Sequence, residues 1–342
     1  MLSSPLPAAA HAGAREVVLG PPRSATAVAV TRAAVILAVP GRRPVTVAGA
    51  DAVRLPGSLV LPAPAARLDL GAVEPGALAE VGGGTVRVGT LVVRPSRWWA
   101  TPRVRAAGSV TRLRSGLKQL DALLSDAPAP GGGTLGRALP AATTAFTRAL
   151  TPALRSALAN AHEIDPTARD RCLEAARSLL GLGPGLTPSG DDVLAAVLVT
   201  VCHLLPDLAR VVADIGEDVA ALARSHTAPV SAALLSWAAC GEGVPELLTL
   251  VDAVGQGGDV TAAAENLLRV GHSSGRDLSE GVRAGVRVSL DLLRVERVAE
   301  VDGAPPGDLA AVPTAIAGSG PVPALIRGHG STSTHRTDVV VG

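Results

Sequence analysis

Twelve residues, Gly181 to Asp192, read GLGPGLTPSGDD and gather backbone, hydroxyl and carboxylate groups in one short stretch. Glycine lets backbone N–H groups approach a ligand without interference from a Cβ. The stretch ends in Ser189-Gly190-Asp191-Asp192, directly before the apolar run Val193–Val201. A loop feeding a helix in this way leaves unpaired N–H groups at the positive end of the helix dipole, a place for a small anion. A second stretch, residues 271–278, reads GHSSGRDL and also precedes a helical pattern. Aligned on Ser-Gly-x-Asp, Ser274-Gly275-Arg276-Asp277 repeats the first copy 85 positions later. Two copies point either to two helix N-termini sharing a site or to the structural echo of a duplication.

The residue types suggest roles. Gly183, Gly185, Gly190 and Gly275 would present backbone N–H groups, and Thr187, Ser189, Ser273 and Ser274 would add hydroxyl donors. Arg276 would add a guanidinium fork for a carboxylate or phosphate. The carboxylates point the other way, because they repel an anion. They could be capping groups, they could hold a Mg²⁺ that bridges to phosphate, or one could orient the NH₂ of an amide substrate. Asp191 is the candidate metal ligand. Asp192 and Asp277, which repeats it, are the candidate catalytic carboxylates. His272 is the acid/base candidate because an unperturbed imidazole titrates near neutrality. The structural alternative is a capping box, with Ser189 and Ser274 as N-caps and Asp192 and Asp277 at N3, worth about 1 kcal/mol per cap. His226, at a break between two helical patterns, is a weaker functional candidate, and His162 and His203 read as structural.

Those loops need elements to hold them. Residues 1–14 are rich in Ala and Pro and are expected to lack regular structure. Residues 15–105 carry short β-branched runs punctuated by Gly and Pro, the pattern of a β-barrel or sandwich. The expected strands are Glu16–Leu19, Ala25–Thr31, Ala34–Val39, Pro44–Val47, Ser58–Leu61, Arg67–Leu70, Thr85–Val88 and Thr90–Val93. Residues 106–298 read as an α-helical domain carrying the Gly-rich loops, with helices expected from Ser109 to Val298. The fold class is therefore α+β, a β-barrel or sandwich followed by helices. A Gly/Pro loop is expected at Pro128–Gly133, and a flexible tail over 299–342. Trp98-Trp99, adjacent in a chain with only three Trp, one Phe and no Tyr, is expected to anchor the two regions to each other.

Composition removes several classes. A formal net charge of +1 and the lack of interleaved aromatics argue against nucleic-acid binding. The longest apolar run, Val193–Leu205, is too short to span a bilayer and contains His203, so no membrane association is expected. The N-terminus lacks the basic start and apolar stretch of a signal peptide, and a cytoplasmic location is expected. Cys172, Cys202 and Cys240 have no CxxC spacing and read as small buried hydrophobes. There is no Walker A lysine, no Gly-x-Ser-x-Gly elbow and no HExxH pattern.

With GLGPGLTPSGDD, GHSSGRDL and Arg97-Trp98-Trp99, roughly residues 15–298 resemble a bacterial family long described as a domain of unknown function, which includes the AllH-like subunit of oxamate carbamoyltransferase from purine and allantoin breakdown. The resemblance implies one subunit of a larger enzyme that moves a carbamoyl group between oxamate and carbamoyl phosphate, with other subunits as partners and a small anion as ligand. The competing readings are a non-catalytic scaffold and a standalone metal-dependent hydrolase using Asp191, Asp192 and His272.

Overall fold

Short strands that alternate Ala or Val with polar residues can close on themselves when the inward side chains are small. That is the arrangement seen. The structure, a computed structural model, describes residues 4–68, 70–126 and 134–302. Eight strands are present: β1 (Leu6–His11), β2 (Arg23–Val30), β3 (Ala34–Ala38), β4 (Val45–Ala48), β5 (Ser58–Val60), β6 (Leu78–Gly82), β7 (Thr85–Val88) and β8 (Leu91–Trp99). They close into a barrel in the order β1-β5-β4-β3-β2-β6-β7-β8. The β1–β8 and β4–β5 pairs are parallel and the rest antiparallel. The interior is filled by Ala8, Ala10, Ala27, Leu37, Val47, Leu59 and Val93, among others.

Three expectations need correction here. The segment 1–14 is not without structure: β1 lies in it and closes the barrel against β5 and β8. Its Ala8 and Ala10 are buried, small enough for the barrel interior. Glu16–Leu19 is not a strand but part of a short helix, α1 (Arg15–Leu19), which buries the consecutive Val17 and Val18. Arg67–Leu70 is replaced by two single 3₁₀ turns, Ala65–Arg67 and Leu70–Ala72.

Helical spacing dominates the rest of the described chain. The helices are α2 (Val110–Asp126), α3 (Thr134–Ala159), α4 (Pro166–Arg177), α5 (Ser189–Leu204), α6 (Ala209–His226), α7 (Pro229–Ala238), α8 (Pro245–Gln256), α9 (Val260–Leu268) and α10 (Ser274–Asp302). The Pro128–Gly133 loop and the tail beyond residue 302 lie outside the described residues. Helix α5 is the axis of this region, with every residue from Ser189 to Val201 buried. An apolar helix with no polar face belongs inside a core. Gly281 and Gly285, one turn apart on α10, bring that helix onto α5. A Cβ at Gly281 would fall 2.5 Å from the Val193 carbonyl oxygen, and one at Gly285 2.7 Å from Thr200 Cβ. Among the described residues no single helix is long and apolar enough to cross a membrane; α5 and the following Pro206–His226 pass on length and composition only as a pair bent by 115°.

The barrel meets the helices through α7. Ala29 and Ile36 of the barrel pack on Val230 and Ala233. Trp237 is 5 % exposed and donates its indole N–H to the Pro44 carbonyl at 3.1 Å. The tryptophan pair at the end of β8 divides its work. Trp98 packs against the barrel core under Arg15, while Trp99 lies 4.7 Å from the His11 ring. Trp237 meets the same His11 edge-on at 5.7 Å, so the junction is a Trp–His–Trp stack.

Candidate functional site

The two Ser-Gly-x-Asp loops meet. Thr187 Oγ1 and Ser274 Oγ are 2.9 Å apart, across 87 positions of sequence. The pairing around them is reciprocal. The Ser274 hydroxyl faces Asp192 and, with Thr187, draws its pKa down, while the Ser189 hydroxyl does the same for Asp277. The serine of each copy therefore addresses the aspartate of the other. The motif is used crosswise between two helix starts, not locally within each.

The capping box is not formed. Pro188 is the N-cap of α5, and its carbonyl accepts from Asp191 and Asp192 N–H; Ser189 is already the first helical residue. Before α10 the Ser273 carbonyl does the same for Arg276 and Asp277. The expectation of free N–H groups at Gly190 and Gly275 also needs correction. Gly190 N–H donates to the Leu182 carbonyl at 2.8 Å and Gly275 N–H to the Val270 carbonyl at 2.9 Å. Lacking a Cβ, each glycine lets its helix start press against the end of the preceding helical segment.

Three carboxyls converge here, all buried. Asp191 is tied on both sides: Oδ1 accepts from the Gly181 N–H at 2.9 Å and Oδ2 from the Thr227 hydroxyl. Burial pushes its pKa up, against the pull of Thr227, Gly181 and Ser231. Asp191 thus locks the start of the Gly-rich loop to the α6–α7 junction. Thr227→Val keeps the shape but removes the donor, leaving Oδ2 buried and unmet. We expect it to cost about 1–3 kcal/mol, read as a lower urea midpoint at unchanged slope, with Thr227→Ser near wild type.

Asp192 and Asp277 are different. Burial pushes Asp192 well above the ordinary carboxylate range, and the neighbouring Asp277 and Asp191 push it further. Asp277, 0 % exposed, is also raised, by burial first and then by Glu280. Asp192 Oδ2 and both oxygens of Asp277 have no hydrogen-bond partner of full geometry; the Ser189 hydroxyl faces Asp277 without closing such a bond. Buried polar atoms in native proteins are nearly always paired, and exceptions cluster at working sites.

The other predicted residues are placed as follows. Gly183, with φ 118°, holds the chain so tightly that a Cβ would meet Ser189 N at 2.9 Å, whereas Gly185, φ 99°, has open space around it. His272 and Ser273 are exposed, not gathered into the buried cluster. Arg276 is committed within the protein: its Nη2 donates to the Leu124 carbonyl at 2.8 Å and to Glu280 at 3.0 Å. His226 Nδ1 lies 2.9 Å from the Leu222 carbonyl, a contact within its own helix. Among the described residues no group of three or more His, Cys, Asp or Glu side chains is placed to hold a metal ion.

The stretch from just before the first loop to the middle of α10 also has a likeness to a known family. Residues 179–286 match the family model of the oxamate carbamoyltransferase subunit AllH. The matched segment includes both Ser-Gly-x-Asp loops, Thr227 and the α5–α10 crossing. No curated protein and no solved structure matches the chain.

Sequence reasoning missed a second polar cluster, at the barrel junction, which joins His11 and Thr101 to Glu242 of the matched segment. His11 is 1 % exposed, and its Nδ1 accepts from the Gly57 N–H at 3.0 Å and the Gly13 N–H at 3.2 Å. Its Nε2 lies 3.6 Å from Glu242 Oε2, which also accepts from Thr101 Oγ1 at 2.8 Å. Burial works to raise the Glu242 pKa, but His11 and Thr101 more than offset it and the net shift is down. A lone His in an Ala-rich segment gave no sign of this. The cysteines also depart from expectation. Cys172 is buried, its thiol pushed up to about 12, but Cys202 is half-buried and Cys240 exposed. A thiol held at that pKa supplies almost no thiolate at neutral pH.

Proposed function

We propose that this chain is one cytoplasmic subunit of a carbamoyltransferase-type assembly, and that the crossed loops hold the carbamoyl end of a small anionic substrate such as oxamate or carbamoyl phosphate. The observation that carries the reading is the pair of buried carboxyls with vacant hydrogen-bonding capacity, Asp192 and Asp277, inside the segment that matches the AllH family model. Oxamate and carbamoyl phosphate share an H₂N–C=O group beside an anionic group. An NH₂ needs acceptors, and a carboxyl oxygen without a partner supplies one. The anionic group needs donors that do not repel it. Burial disfavours the charged form of Asp192, which lessens that repulsion, and the Thr187, Ser189 and Ser274 hydroxyls can donate.

The test begins with a tagged protein recovered from its native cells, its co-purifying chains identified, and the assembly assayed for carbamoyl transfer between carbamoyl phosphate and oxamate. Other subunits and transfer activity are expected, with the rate falling about 10²-fold or more in Ser274→Ala, by loss of a positioned group. Recovery of the chain alone, or full activity in that variant, overturns the reading.

A further inference from the structure

A large cavity in the described structure lies away from the crossed loops. It lies at the barrel–helix junction, between β2, β3, the β3–β4 loop and helices α6 and α7, and holds about 870 Å³. That is within the range of sites that enclose small organic ligands, and such sites favour boundaries between structural units. We propose that this cavity is a second binding site, for an organic monoanion with an aliphatic body.

The lining sets the ligand class. Val17, Val28, Val39, Ala220 and Ala233 give it an apolar surface of small aliphatic side chains. The aromatic residue in the lining, Trp237, has the guanidinium of Arg43 over its ring at 5.9 Å, and Gly13 and Gly57 close against its edges. A flat ring therefore finds little free indole to stack on, and an aliphatic chain suits the surface better.

The charges set the head group. Three arginines, Arg42, Arg43 and Arg224, and two glutamates, Glu16 and Glu217, line the cavity. Arg42 is paired with Glu16 at 2.7 Å. Arg43 is paired with Glu217 and also donates to the Ser236 carbonyl at 3.0 Å. Arg224, one turn beyond Ala220 on α6, has no hydrogen bond or ion pair among the described residues. One positive charge is thus left over beside an apolar cavity. A carboxylate on Arg224 with its carbon chain on the valines and alanines satisfies both parts, and a guanidinium fork accepts a carboxylate in bidentate fashion.

The test is calorimetric titration of the full-length protein with octanoate, below its micelle-forming concentration. Octylamine has a similar body with the opposite charge, and acetate has the head without the body. Octanoate is expected to bind at one site, about tenfold or more tighter than either control, because charge-assisted pairing and apolar burial each contribute. Arg224→Gln, on the exposed side of α6, is expected to weaken octanoate about tenfold by losing the charge-assisted pair. Ala233→Leu, which fills the floor, should weaken it without touching the head group. Equal binding of octanoate and octylamine, or an unchanged affinity in Arg224→Gln, overturns the proposal.

Discussion

Asp192→Asn is expected to raise the melting temperature of the isolated protein at pH 8 and to abolish carbamoyl transfer by the assembly. The two effects come from one cause. Asp192 is 5 % exposed, and burial lifts its pKa well above the ordinary 3.8. In the unfolded chain the same group ionises near 3.8. Between the two values the folded state holds more protons than the unfolded state, so stability falls as pH rises. The loss begins near pH 4 and continues up to the folded pKa. Asparagine has the same shape and cannot ionise, and its NH₂ can donate to the Ser274 or Thr187 hydroxyl oxygen. The gain at pH 8 is expected to be about 1–3 kcal/mol, the usual cost of an unmet buried polar group. That corresponds to a few degrees of melting temperature, at about 2–4 °C per kcal/mol for a domain of 150–250 residues. At pH 4 the two proteins should melt together. Melting curves across pH decide the first half, and transfer rates of the intact assembly decide the second. A higher melting temperature with full activity would make the cluster a structural lock that carries no chemistry.

Such a trade is familiar at working sites, where groups are held in states the fold alone would not choose. It also explains why the site was only half legible in the sequence. The Gly and Pro of GLGPGLTP mark a special loop wherever they stand, and the repeated Ser-Gly-x-Asp marks a relation between two helix starts. The local reading of that pattern, a serine capping its own helix, fails because Pro188 takes the cap and moves Ser189 into the first turn. The crosswise use of Ser189 on Asp277 and Ser274 on Asp192 depends on α10 lying against α5, which no local rule contains. Arg276 looked like an anion fork because its type fits, but Leu124 and Glu280 hold it.

The fold divides in the same way. The nine helices α2–α10 were legible because apolar spacing of 3.6 residues is a local signal. Strands β1 and β6 were not. Their sequences, LPAAAH and LAEVG, have little strand propensity, and they form because neighbouring strands need partners to close the barrel. The His11–Glu242 pair and the Arg224 cavity bring together residues more than 200 positions apart, where periodicity is silent.

Gly190→Ala is expected to be among the most damaging single-methyl changes in the chain's matched segment, and Gly185→Ala, five residues earlier in the same loop, a mild one. A Cβ at Gly190 would fall 2.0 Å from the Leu179 carbonyl oxygen, 2.9 Å from its carbon and 3.0 Å from Leu182 Cβ. Two of these are backbone atoms and cannot rotate away. Helix α5 cannot retreat either, because every residue from Ser189 to Val201 is buried and α10 presses on it through Gly281. Relief requires the helix start to lift, breaking the Gly190–Leu182 hydrogen bond and opening the crossed cluster. The expected cost is above about 3 kcal/mol, beyond the usual range for overpacking, because backbone has to move. At Gly185 no atom lies within 4 Å of a Cβ, so only the positive φ of 99° opposes alanine, at about 1–2 kcal/mol. Gly275 repeats the arrangement at 2.0 Å from the Leu267 carbonyl oxygen, so Gly275→Ala should match Gly190→Ala. Urea unfolding of the three variants measures all of this. Similar midpoints for Gly190→Ala and Gly185→Ala would mean that the helix starts are loosely seated. The reciprocal Ser–Asp geometry, which depends on both helices being pinned at these glycines, would then lose its footing.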